Sequence, residues 1–169
     1  MEEFGPIQIL VVGFGEMEFD GTILDELQRL KDRDIVRLVD LVVVAKDADG
    51  EVVSVETTDL TPEQSVEFGA LAGALIGLGA DGEEGMEEGM VAGAEAAVDS
   101  DGEFLGDEVM WSIADTIPTG TTAAVALLEH RWAIPFRDAI RDKGGILLAD
   151  SWLHPADLIA FGASMSDEG

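Results

Sequence analysis

The sequence predicts an α/β (α+β) fold: a ferredoxin-like split βαβ sandwich with a glycine-rich helical insertion. Three observations lead there. Two blocks, one near each end of the chain, read strand–helix–strand, the order of a βαβ half-unit. Between them, Asp59 to Thr119 loses strand character and reads as helix. The 169 residues, 47% of them hydrophobic, suit one domain that can bury a real core. The expected divisions are residues 1–58 (first half plus a hairpin strand), 59–119 (the acidic helical insertion), 120–162 (second half) and 163–169 (a flexible tail).

In the first block, Ile7 to Phe14 (IQILVVGF) is dense in β-branched residues and predicts a buried strand. Asp20 or Thr22 can cap the following helix, Ile23 to about Arg33, whose Ile23, Leu24, Leu27 and Leu30 make one apolar stripe. Ile35 to Ala45 predicts a second strand. The Asp-Gly pair inside Asp47–Glu51 is a two-residue hairpin signal, and Val52 to Val55 returns as a third strand. In the second block, Thr122 to Leu128 (TAAVALL) reads as a buried strand. A helix follows from Ile134 to Lys143, with Pro135 in its first turn, and Gly144 and Gly145 end it. Ile146 to Trp152 predicts the closing strand, Pro155 to Phe161 a short last helix, and SMSDEG a loose tail.

The insertion opens on Thr61-Pro62-Glu63, a hydroxyl cap followed by Pro and Glu in the first turn. A helix from Pro62 places Gly69, Gly73 and Gly77 on one face, because residues four apart stack. Each interior glycine costs roughly 0.8–1 kcal/mol against alanine, so three cost about 3 kcal/mol and need an offset. Close backbone approach by another helix supplies one. Leu78 to Gly82 reads as a break. A second helix, Glu83 to about Val98, carries Gly85, Gly89 and Gly93 on one face, with Met86 and Met90 beside them. The two arms can zip glycine to glycine. A third helix, about Leu105 to Ala114, holds Val109, Trp111 and Ile113. Three arrangements satisfy the ladder: a hairpin packed within its own domain, a homo-oligomer interface, or membrane insertion. The apolar run from Phe68 to Ala80 is thirteen residues, short of the ~20 a membrane span needs. Clustered Glu83, Glu84, Glu87 and Glu88 are also expensive in hydrocarbon.

Charge narrows the partners. Thirty-six acidic residues against nine basic ones give a formal net charge of -27. That field repels nucleic acid and anionic membranes, and it opposes self-association unless salt screens it. Such acidity fits a high-salt cytoplasm or a high-GC genome. Basic residues cluster on or beside the two core helices: Arg29, Lys31, Arg33 and Arg37, then Arg131, Arg137, Arg141 and Lys143. They form either a solvated face or a dock for the acidic insertion of a neighbouring subunit. With no cysteine, thiolate catalysis and Cys-based metal sites are excluded. The acidic start, with its short apolar run, does not read as a signal peptide, and the expectation is a soluble cytoplasmic protein.

Four stretches together, GPIQILVVGF, VDLVVVAKDADGEV, the glycine ladder and ADTIPTGTTAAVALLEH with its following helix and GGILL, resemble a family of uncharacterised bacterial and archaeal proteins. These are glycine-rich, of unknown function, and often labelled putative membrane proteins. The resemblance implies ferredoxin-like halves flanking the glycine region and carries no activity. Glu83, Glu84, Glu87, Glu88 and Glu95 depart from the family's more hydrophobic glycine region, which argues against membrane association.

Candidate sites are few. Asp47–Glu51 and Asp99–Glu103 each sit in a frame like the calcium loop D-x-D-x-D-G-x5-E, with Glu56 and Glu108 at the last position. In both, alanine (Ala45, Ala97) stands at the first ligand position. The second copy, with Asp99, Asp101 and Glu108, is the candidate Ca2+ site; the first reads as a turn. His130 beside Glu129, and His154 near Asp150 and Asp157, are candidates for acid–base work. Gly13-Phe-Gly15 is only part of a dinucleotide fingerprint, since Glu18 stands where the third glycine belongs. Trp111, Trp132 and Trp152 read as core or interface packing residues, with the lining of a ligand pocket as the alternative. The expected function is a non-enzymatic, self-assembling homo-oligomer joined through Gly69, Gly73, Gly77, Gly85, Gly89, Gly93, Met86 and Met90, with no cofactor. The alternatives are a small-ligand or divalent-cation sensor using the sheet face or the Asp99–Glu108 loop, and a hydrolase-like enzyme using His130 and Glu129.

Overall fold

The computed structural model describes residues 4–15 and 21–167. Asp20 and Glu18 lie outside them. The elements are β1 (Ile7–Phe14), α1 (Thr22–Asp32), β2 (Val36–Lys46), β3 (Val52–Thr57), α2 (Pro62–Asp99), α3 (Gly106–Thr116), β4 (Thr121–His130), α4 (Ala133–Asp142) and α5 (Pro155–Asp167). The chain divides into two compact units, Met1–Phe136 and Arg137–Gly169.

The first unit is built on a four-stranded antiparallel sheet in the order β1-β4-β2-β3. Strands β1 and β2 both run antiparallel to β4, so they are parallel to each other with β4 between them. The β1-α1-β2 crossover is therefore a split βαβ unit. The crossover from β3 to β4, which contains α2 and α3, is a second, split by β2. The second unit therefore runs through residues 59–119 and not through 120–162 as expected, while the α+β class is as the sequence indicated.

One strand is not. Ile146 to Trp152 forms neither strand nor helix, and β3 closes the sheet instead. A strand exists through its neighbour's hydrogen bonds, and aliphatic composition supplies the propensity without the neighbour. Three smaller corrections follow the same logic of local competition. Gly21, at φ 84°, is the N-cap of α1, and no side chain caps that helix, so Thr22 does not. The β2–β3 turn spans residues 47–51, not two residues: Asp47 Oδ1 accepts from the amides of Asp49 and Glu51, and Gly50 takes φ 85°. Residues 163–167, expected as loose tail, continue α5.

Alternation along the strands sorts the side chains onto two faces. On one, Val42 and Val44 pack with Ala114 of α3, supported by Val52, Leu105, Met110, Ile113 and Ile117. The other carries Leu10, Val12, Leu41 and Val43 toward α1. No residue of α1 is fully buried. A bulge in β2 between Leu38 and Asp40 breaks the alternation, so that Leu38, Val39 and Asp40 are all buried in succession. Helix α2 begins with a complete capping box: Thr61 accepts from the Gln64 amide, and the Gln64 side chain accepts from the Thr61 amide. It bends back on itself at Asp81 and Gly82, the latter at φ 67° and ψ -145°. Its base is held by aromatic edges: Phe68 meets Phe4 at 5.3 Å and Phe104 at 4.8 Å between ring centroids.

Candidate functional site

The glycine faces of α2 turn toward each other within the chain. A Cβ built on Gly77 would lie 2.6 Å from the carbonyl carbon of Gly85. One on Gly73 would lie 2.9 Å from the carbonyl carbon of Gly89, and one on Gly93 would lie 2.8 Å from that of Gly69. The pairs 69–93, 73–89 and 77–85 thus step down an antiparallel hairpin, each glycine filling the space against the opposite backbone. The helix-propensity cost is offset inside one chain. Side chains that flank the glycines point outward, leaving Leu75, Ile76, Leu78 and Val91 exposed, Ile76 by 74%. Met86 is half-buried and Met90 exposed.

Below the hairpin, one buried and one half-buried carboxylate pin loops to the sheet. Asp40 is fully buried. Its Oδ2 accepts from the amides of Phe104 (2.7 Å) and Leu105 (2.8 Å), and its Oδ1 from its neighbour Leu41 (2.8 Å). Glu56 reaches the same place from β3 and accepts from the Gly106 amide at 3.0 Å. Two acids therefore meet at the start of α3, where unpaired amides and the helix dipole favour negative charge. Burial, then a hydrogen bond with Asp40 and the charges of Asp40 and Glu103, outweigh the Gly106 amide and push Glu56 up from 4.5 to about 7.

At the far end of β4, Glu129 is also fully buried. It accepts from the Gly5 amide and from Arg37 Nε, each at 2.7 Å, with Arg131 Nη1 at 3.6 Å. Arg37 lies 4.9 Å from the centre of the Phe4 ring. Next in the strand, His130 must point to the opposite face. There its Nε2 meets Gln8 Oε1 at 3.0 Å, and its Nδ1 accepts from Trp132 Nε1 at 3.2 Å. That pairing suits a neutral ring protonated on Nε2, and burial lowers its pKa below 6.5 accordingly. The sheet separates His130 from Glu129, so the two do not form an acid–base pair.

The remaining candidates are dispersed. Among the described residues, no group of three or more His, Asp or Glu is arranged to hold a metal, so Asp99, Asp101 and Glu108 are not brought together as ligands. Trp111, Trp132 and Trp152 are each about half exposed rather than packed in a core. Several of the helix-borne cations, read either as a solvated face or as a dock for a neighbour, are engaged within the chain: Lys31 with Asp59 at 2.7 Å, Arg131 with Asp34 at 3.1 Å, and Arg141 with Asp138 at 3.7 Å.

Composition and spacing did not expose one concavity on the sheet. Between α1 and the sheet runs a groove of about 550 Å³, floored by Leu10, Val12, Leu41 and Ala126 and walled by Leu24 and Leu27. Among the described residues, its lining holds no ionisable side chain. Its signal in the sequence is the small residues of β4 (Ala124, Ala126), which leave space that larger ones would fill. Asp40 had a signal too: one acid in the apolar run VDLVVV.

No family model, curated protein or solved structure matches this chain. Among the described residues, no helix is long and apolar enough to cross a membrane.

Proposed function

We propose that the chain is a non-enzymatic, self-assembling protein of the cytoplasm whose working form is a homo-oligomer with a salt-responsive acidic surface. The observation that carries this is the hairpin. Its glycines close on each other and turn a row of aliphatics outward, Leu75, Ile76 and Leu78, on a chain of formal charge -27. Exposed apolar patches of this kind mark interaction surfaces. The glycines thus act at one remove: they set the arm spacing, and the neighbouring rows with Met90 make the contact. The likeness to the glycine-rich family of unknown function belongs to the same reading. Sedimentation velocity across a salt series tests it. The screening length falls from about 10 Å at 0.1 M salt to about 3 Å at 1 M, so mass should rise over that interval. A monomer at every salt concentration overturns the proposal.

The α1 groove favours a second reading, a sensor of small apolar ligands. Its volume and its lining suit an acyl chain or a planar hydrophobe. Native mass spectrometry of freshly purified protein distinguishes the two, since a retained mass on the monomer supports the sensor and bare multimers support assembly.

A further inference from the structure

We propose that Ile146–Trp152 is donated as a β-strand to the open edge of β1 in a second copy of the chain. The proposal rests on the homo-oligomer reading and names how one contact in it is made.

Among the described residues, the sheet order leaves β1 with a single neighbour, β4. Half of its backbone amides and carbonyls therefore line an open edge, which is a template for another strand. Proteins protect such edges with lysine, proline, inward charges or bulges. The sequence IQILVVGF has no charge and no proline, and its eight residues pair with β4 without a bulge. At about 3.3 Å per residue the edge is about 26 Å long. It is also apolar on both faces: Ile9 and Val11 are each 67% exposed on one, and Leu10 is 40% exposed on the other.

The chain carries a segment that matches this edge. Ile146, Leu147 and Leu148 are more than three-quarters exposed, and the segment makes no secondary structure of its own. Gly144, at φ 77°, and Gly145 end α4 before it, and Pro155 opens α5 after it. Its seven residues span about 23 Å when extended, close to the length of β1. Alternation puts Ile146 and Leu148 on one side and Leu147 on the other, so a paired strand would cover apolar surface on both faces of the recipient sheet.

The charges favour a second copy over an unrelated chain. In a molecule of charge -27, two copies repel wherever acids face each other. Ile7–Phe14 contains no ionisable residue and Ile146–Trp152 only Asp150, so these two stretches approach at low electrostatic cost. The other sheet edge, β3, reads VVSVET, is half polar, and uses Glu56 to hold Gly106. Reciprocal donation uses the same two surfaces on both copies, which closes a two-fold dimer.

The chain has no cysteine, so single-cysteine variants report the contact directly. Val11→Cys and Leu147→Cys chains with different mass tags are unfolded together, refolded, oxidised and weighed, with Ile9→Cys and Leu148→Cys scanned to cover register. The expected product is the mixed 11–147 or neighbouring cross-linked dimer, in excess over like-with-like pairs. Separately, Leu148→Pro, which removes a strand amide, should weaken the dimer at least tenfold while far-UV circular dichroism stays unchanged. Like-with-like 11–11 pairs, a cross-link within one monomeric double variant, or an unchanged dimer in Leu148→Pro each overturn the proposal. An oligomer that persists without any mixed cross-link refutes strand donation and leaves assembly standing; a monomer at all salt concentrations refutes both.

Discussion

Replacing Gly77 by alanine pits two opposed effects against each other, and the structure decides which wins. Alanine favours helix by about 1 kcal/mol over glycine. At Gly77, however, the new Cβ would sit 2.6 Å from the carbonyl carbon of Gly85, where carbon atoms rest at about 3.5–4.0 Å. The obstacle is backbone, so the arms must part by about 1 Å. Forcing a methyl into a packed contact costs about 1–3 kcal/mol, and parting the arms here also loosens the 73–89 pair one turn away. The net expectation is a loss of about 1–2 kcal/mol. Gly79 is the internal control. It lies in the same arm, two residues on, and nothing stands within 4 Å of its added Cβ. Gly79→Ala should therefore gain up to about 1 kcal/mol. Urea titrations of both variants, followed by circular dichroism at low salt, read the difference directly. If Gly77→Ala proves as stable as Gly79→Ala at equal denaturant slope, the arms are not in contact and the offset argument for the glycines fails.

Other outcomes follow from the buried acids and from His130. Glu56 binds its proton more tightly when folded, so its stabilising share is complete below about pH 4.5 and is lost as pH rises to about 7. At 1.36 kcal/mol per pH unit the ceiling is about 3 kcal/mol, reduced by partial solvent access to about 1–2 kcal/mol. Glu56→Gln keeps an acceptor for Gly106 and a donor for Asp40, so the gap between variant and parent stability should widen in its favour from pH 5 to pH 8; a constant gap in denaturation midpoints counts against the arrangement. Glu129→Ala strips a fully buried carboxylate from Arg37 and Gly5 and should cost about 3–5 kcal/mol. Glu129→Gln, which still accepts from Gly5, should cost measurably less in the same melts. Trp132→Phe removes the donor to His130 Nδ1 and should raise the His130 pKa toward 6.5 in an NMR titration, whereas no movement would place that hydrogen bond in doubt.

Patterns that repeat within one segment were legible in the sequence; those that depend on a distant neighbour were not. The i, i+4 glycines, the Thr61 cap and the break before Gly82 each act over a single turn, and the hairpin follows from them. The apolar runs likewise identified β1, β2 and β4. Ile146–Trp152 has the same local character as those strands, and only the ladder tells them apart. Glu129 and His130 looked like partners because they are adjacent in sequence, while strand alternation sends them to opposite faces. The Asp40–Glu56 pair was hidden for the converse reason: sixteen positions and a hairpin turn separate the two residues in the chain, and Gly106 joins them from a third element. The α1 groove is a property of what three strands leave unfilled, which no single segment records.

Charge and apolar surface are kept apart along this chain, and that separation bears on how copies can meet. From Phe68 to Ala80 the first arm has no ionisable residue, while Glu83, Glu84, Glu87 and Glu88 crowd the start of the second. The same contrast holds between uncharged β1 and the acids that flank it in the sequence, Glu2, Glu3, Glu16, Glu18 and Asp20. Repulsion among copies acts at a distance and is screened by salt, whereas apolar contact acts only on touching and is insensitive to screening. A contact through the hairpin row brings each copy's four clustered glutamates close to the other's, so it must strengthen steeply with salt. Strand donation at β1 keeps those glutamates off the contact surface and should vary less. Ile76→Glu, which damages only the hairpin row, should therefore flatten the salt dependence of mass by removing the association that appears at high salt. A steep dependence surviving in that variant would place the repelling acids somewhere other than the hairpin.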